Sequence, residues 1–207
     1  AKVYEYVRRV NEALYNLDKY GNFAPDDVTR LEAELRFFRG MLYFDLVKRY
    51  KEVIIYDKDL AKIQPNMPLS TEEQGWDFVE SDLNFAGEHL KKSATSNGRV
   101  TSGAAYALLS RAMLYAERWA KAKAAAEEVI NSKLYSLVKD NYVDAFKSNS
   151  NEAIWEYDYN ATNKVYHSWD NFYAPGGDKK FDGNNQVGGL ANPTQEMVES
   201  YEYATTG

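Results

Sequence analysis

The sequence predicts a mainly α chain: a helical scaffold over residues 1–131, then long aromatic-rich loops over 132–207 with little β structure. Three observations point there. Apolar residues recur at steps of three and four through most of the first 131 positions, the period of helices that each bury one face. From Leu134 that period is lost, and five glycines (176, 177, 183, 188 and 189) break the stretch 160–193. Finally, 17 tyrosines, 4 tryptophans and 9 phenylalanines make 14% of the 207 residues aromatic, more than an acidic helical protein needs for packing alone.

The first helix is predicted over residues 3–17, with Val3, Tyr6, Val10, Leu14 and Leu17 on one face. Gly21 stops it, and Pro25 with Asp26 and Asp27 suits the first turn of the next. That second helix carries Val28, Leu31, Leu35, Phe38, Leu42 and Leu46 on one stripe, widened by Phe37, Met41 and Phe44. A face that wide is buried on more than one side, as in a central bundle helix. The helix should run to about Tyr50. Val53–Tyr56 is a short extended run, and Pro65 and Pro68 exclude regular helix after it. Ser70 with Glu73 reads as a capping box for a third helix facing inward through Trp76, Val79, Leu83, Ala86 and Leu90. The polar stretch 91–100 is a loop.

Thr101 or Ser102 caps a fourth helix whose inward residues are Ala105, Leu108, Leu109, Ala112 and Tyr115. A tight turn at Glu117–Trp119 leads to a fifth, Ala120–Ile130, in which Ala122, Ala125 and Ala126 allow close approach. That pair resembles a tetratricopeptide-type hairpin, so the scaffold is read as tetratricopeptide-like. Residues 153–159 alternate in polarity and give the best strand candidate. Thr194–Tyr201 suits one last short helix. The chain is read as a single domain over 1–207.

Composition removes several classes of function. Lys and Arg total 25 against 31 Asp and Glu, a net charge of -6, and no concentrated basic surface exists for a nucleic-acid partner. The absence of cysteine excludes disulfides, thiolate zinc sites and cysteine nucleophiles. His89 and His167 are too few and too scattered for a metal site or a hydrolase triad, and His89 suits a cation near a helix C-terminus. Residues 178–184 faintly resemble a calcium loop, but Lys180 stands where an oxygen ligand belongs. Neither glycine-rich phosphate-binding motif occurs. No metal and no cofactor are therefore expected. No apolar run reaches the roughly 20 residues needed to span a bilayer. Ala1 follows no signal peptide, which is read as a processed or trimmed chain.

What remains is aromatic. Sugar rings present apolar C–H faces ringed by hydroxyls, so flat aromatic platforms with amide or carboxylate neighbours suit them. The run 166–173 supplies these groups side by side: Trp169 as principal platform, Tyr166 and Tyr173 as lesser ones, and Asp170 and Asn171 as hydroxyl partners. The same rings would equally pin a long loop to the helices. Trp155 is read as core, and Trp76 and Trp119 as structural. A glycoside hydrolase needs only two acids at a suitable separation, and Glu152, Glu156, Asp158 and Asp170 lie near aromatics, although surface solvation accounts for them as well.

Glu34–Gly40 leading into Tyr43–Tyr50 resembles the signature helix of the SusD/RagB family of Bacteroidetes surface lipoproteins. Ordered agreement continues through residues 7–11, 70–83, Gly98–Thr101, 104–122, 127–130 and 152–157, and more weakly through 192–201. The family usually follows this helix with a glycine-containing turn and a proline, whereas Lys51–Ile55 intervenes here. The resemblance implies a non-catalytic binder of oligo- or polysaccharide on the cell surface. Such a protein passes its glycan to a TonB-dependent transporter of the SusC type and meets the outer membrane only through an N-terminal lipid anchor. It further implies that this chain is partial, with the anchor and part of the binding site outside it. The alternatives are a helical-repeat adaptor for another protein and, less favoured, a glycoside hydrolase.

Overall fold

The computed structural model describes residues 2–59, 62–64, 66–94, 98–139, 141–147, 150–157, 159, 162–163 and 193–200. Five helices build the first of two compact units, residues 1–157: α1 Lys2–Tyr20, α2 Pro25–Tyr50, α3 Glu72–His89, α4 Ser102–Tyr115 and α5 Trp119–Ser132. A 3-10 turn follows at Tyr142–Phe146. In the second unit, residues 158–207, the helix α6 spans Gln195–Glu199, and the Thr194 hydroxyl accepts the Met197 N–H at 3.3 Å. The mainly α prediction holds, and no strand forms among the described residues.

Each helix in the first unit runs against its neighbour. Asn11 of α1 meets Arg39 of α2, Arg36 of α2 meets Asp82 of α3, and Ser102 of α4 donates to the Gly87 carbonyl of α3 at 2.6 Å. Two glycines set the α2–α3 crossing. A Cβ on Gly40 would lie 2.9 Å from Leu83 Cγ, and one on Gly75 2.7 Å from Val47 Cγ2, so the backbones approach only because these positions lack side chains. At the α4–α5 hairpin, Ala122 and Ala125 are buried and the Ser110 hydroxyl donates to the Ala122 carbonyl at 2.8 Å. Glu117 takes a φ of 57° in that turn.

Helix starts follow the predicted chemistry with one shift of register. The capping box is Thr71 with Gln74, one residue beyond the expected Ser70–Glu73, because Ser70 is engaged in a backbone bridge with Val53. Thr101 caps α4 by accepting the Ala104 N–H. The wide face of α2 is indeed buried on more than one side, and its buried residues are Ala33, Phe37, Arg39, Gly40, Tyr43, Phe44, Leu46 and Val47. Of the expected stripe Leu46 is buried, Val28, Leu31, Leu35 and Leu42 are half-buried, and Phe38 is exposed. On α1 the buried line is Val7, Asn11 and Leu14, and Tyr6 is exposed.

The strand expected at 153–159 does not form over the described residues. Ile154 and Trp155 are consecutive yet both pack on the helical core, while Glu156 and Tyr157 are both exposed; a strand would send neighbours to opposite faces.

Candidate functional site

A buried polar knot positions the helices. Arg39 Nε and Nη2 donate to the two Asp82 oxygens at 2.7 and 2.9 Å, and Nη1 donates to Asn11 Oδ1 at 2.9 Å. Arg36 Nε shares Asp82 at 2.9 Å. Burial alone would lower the Arg39 pKa, but hydrogen bonds and attraction from Asp82 outweigh it and the pKa rises. The extended segment after α2 is tied to the same knot. Tyr56 N–H donates to the Tyr43 hydroxyl at 2.7 Å, Ile54 N–H to the Tyr4 hydroxyl at 3.0 Å, and Asn11 Nδ2 to the Tyr56 carbonyl at 2.7 Å. Burial pushes the Tyr43 phenol well above its usual value, the Tyr56 hydrogen bond offsetting only part.

Because α2 and α4 both run against α3, they are parallel to each other, and a groove of about 570 Å³ lies between them. Its apolar wall is Phe37, Met41 and Phe44 from α2, Leu108 from α4, and Ile154 and Trp155 from the returning chain. Ala104 and Ala107 leave room for it. Trp155 closes one end, edge-on to Phe37 at 5.3 Å, with its indole N–H donated to the Gly98 carbonyl at 3.0 Å. At the other end, one turn and more along both helices, stand Asp45, Lys48 and Arg111. Lys48 Nζ lies 4.7 Å from the Phe44 ring centroid and 3.3 Å from Asp45. Glu152 also lines the groove, its carboxylate accepting the Val138 N–H at 3.0 Å.

The predicted sugar-contacting residues Trp169, Tyr166, Tyr173, Asp170 and Asn171 lie outside the described residues, as do the calcium-like loop 178–184, His167 and Asp158. Of the other candidate acids, Glu156 is exposed and Glu152 is occupied by Val138. Trp76 is buried as expected, whereas Trp119 is 61% exposed. His89 stacks on Phe85 at 4.1 Å in the last turn of α3. Among the described residues no cluster of three or more acidic or histidine side chains could hold a metal, and no helix is long and apolar enough to cross a membrane. Sequence reasoning missed the groove and its Arg111. Two half-faces on helices separated by more than fifty residues build it, and only the α2 half had shown, as the widening of a stripe.

Comparison with known proteins places this architecture. A family described as starch-binding and associating with the outer membrane matches residues 1–114, more than half of the chain. The chain belongs to this SusD-like family. A SusD-like protein structure from Bacteroides fragilis is 33% identical, with a TM-score of 0.68 over 76% of this chain and 33% of that one. A SusD superfamily structure from Parabacteroides distasonis is 25% identical, with a TM-score of 0.83 over 97% of this chain and 45% of that one. A laminarin-binding SusD-like protein is 26% identical, with a TM-score of 0.62 over 72% of this chain and 34% of that one. The chain spans about a quarter to a third of the length of the curated SusD-like relatives it matches, 24% of one from Bacteroides ovatus and 31% of one from Formosa agariphila. Directly after α2, Lys51 takes a φ of 62°, a backbone region that favours glycine.

Proposed function

We propose that this SusD-like chain belongs to a non-catalytic cell-surface protein that captures oligo- or polysaccharide and delivers it to a TonB-dependent transporter of the SusC type. Membership of a family described as starch-binding and outer-membrane-associated carries the reading, and likeness to a laminarin-binding protein supports it. The full-length protein is anchored in the outer membrane by an N-terminal lipid. In the run 166–173, Trp169 is the main stacking platform, Tyr166 and Tyr173 are lesser ones, and Asp170 and Asn171 bond the hydroxyls. Aromatic rings give sugars a large apolar contact at low entropic cost.

Affinity electrophoresis of the pure protein against starch, laminarin and other polysaccharides tests it. Retardation by at least one glycan is expected, weakened about tenfold by Trp169→Ala, as for loss of a principal aromatic anchor. Retardation by none would end the carbohydrate reading. An unchanged affinity with a large fall in melting temperature would make Trp169 a loop anchor instead. Co-purification with a SusC-type transporter tests the hand-off.

A further inference from the structure

The charged end of the α2–α4 groove carries more than the family reading assigns. Two cations and two acids line the groove, but they are unequally engaged. Asp45 is held by Lys48 at 3.3 Å and by Arg49 at 3.9 Å. Glu152 is spent on the backbone N–H of Val138. Lys48 lies over two neighbouring rings, Phe44 at 4.7 Å and Tyr115 at 5.5 Å. Arg111 is exposed, and among the described residues neither a hydrogen bond nor an ion pair engages its guanidinium. With Lys48 paired to Asp45 and Glu152 hydrogen-bonded to the backbone, Arg111 is the cation of the groove left without a partner among the described residues, and it stands beside an aromatic wall.

Resting on the carbohydrate reading, we propose that this groove is a second binding site, selective for an anionic sugar residue. Arg111 takes the carboxylate or sulfate with Lys48 beside it, and the ring lies on the wall of Phe44, Leu108 and Trp155. The chemistry fits each part. A guanidinium fork matches the paired oxygens of a carboxylate or sulfate and gives the strong, charge-assisted class of hydrogen bond. The C–H face of a pyranose covers apolar surface that water would otherwise wet. Lys48, held by two rings, offers its charge at little cost in side-chain freedom. The rest of the protein repels polyanions, at a net charge of -6, so retention by one requires a local site of this kind and not diffuse attraction.

Affinity electrophoresis of the full chain in gels holding polygalacturonate (carboxylate), dextran sulfate (sulfate) or laminarin (neutral) distinguishes the outcomes. At least one anionic polymer should retard the protein more than laminarin does, and whichever does so names the anion. Arg111→Ala should weaken that retention about tenfold, the scale of a hydrogen bond to a charged group, with the melting temperature unchanged. Arg111→Lys should restore part of it, and Arg8→Ala, remote on α1, should leave it intact. Laminarin retention equal to both polyanions and indifferent to Arg111→Ala would remove this site while leaving the carbohydrate reading. A loss of melting temperature with unaltered affinity would show the groove to be filled within the protein. Retention by none of the three, together with failure on starch, would overturn both.

Discussion

Asp82 accepts from two arginines of α2 one turn apart: Arg39 through both its oxygens, at 2.7 and 2.9 Å, and Arg36 at 2.9 Å. Asp82 is 1% exposed and Arg39 5% exposed, so neither charge has water to fall back on. Their attraction does little more than repay desolvation while both are present. Removing one leaves the other stranded. Asp82→Ala should therefore cost about 3–5 kcal/mol, read as a fall in the urea midpoint. The paired replacement Arg39→Met with Asp82→Leu should cost much less than the sum of the single changes. Additive losses would show that the two charges act independently.

That knot also marks what the sequence could and could not disclose. Periodicity located every long helix, because an apolar stripe on a helix has a period that survives without tertiary information. The line Trp76, Val79, Leu83, Ala86 and Leu90 is buried throughout as anticipated. The same logic found only part of α2: Phe37, Phe44 and Leu46 are buried as expected, but the buried face also holds Arg39, Gly40 and Tyr43. A polar residue, a glycine and a phenol read as surface or punctuation until a partner helix satisfies or needs them. Caps were legible to within one residue, since a hydroxyl followed by a glutamine or glutamate is a local signal. The 153–159 segment misleads because its alternation of residue types imitates a pleat, whereas Ile154 and Trp155 are both held by the core. The α2–α4 groove exists only after α3 has brought two distant helices parallel, and no one-dimensional pattern encodes that.

Tyr43 should govern part of the alkaline stability. Its pKa is raised in the folded state by burial, so it favours folding fully below the ordinary tyrosine value of about 10. The contribution falls as pH rises past that value, because only the unfolded chain then releases the proton readily. Tyr43→Phe should lower the unfolding free energy at pH 8 by about 1–3 kcal/mol, by leaving the Tyr56 N–H without its hydroxyl acceptor. It should also flatten the decline between about pH 10 and 11 relative to the unaltered protein. Parallel pH curves for the two would discount the phenol.

The α4–α5 hairpin depends on small side chains. Ala122 is 2% exposed and Ala125 4% exposed, and the Ala122 carbonyl is further tied by Ser110. Ala122→Phe should overpack this contact and cost about 1–3 kcal/mol. An unchanged unfolding midpoint would mean the helices are not in close contact there.

Two ties hold the loop before α4 onto α2, and they should differ sharply in weight. Arg99 reaches Glu34 with both contacts at 2.7 Å, but the arginine side chain is 46% exposed. Solvent screens such a pair, so Arg99→Ala should cost no more than about 1 kcal/mol. Trp155 instead lies between Phe37 at 5.3 Å and Phe38 at 6.3 Å while its indole N–H satisfies the Gly98 carbonyl. Replacing it with alanine removes the apolar cover of Phe37 along with the hydrogen bond, a loss of about 3–5 kcal/mol if the site cannot collapse. Trp155→Phe, which keeps most of the ring contact, should recover more than half of that. Chemical unfolding of the three variants side by side decides the matter. If Arg99→Ala proved the more damaging, the loop would be held by charge, and the Gly98–Thr101 turn should then loosen as salt is raised.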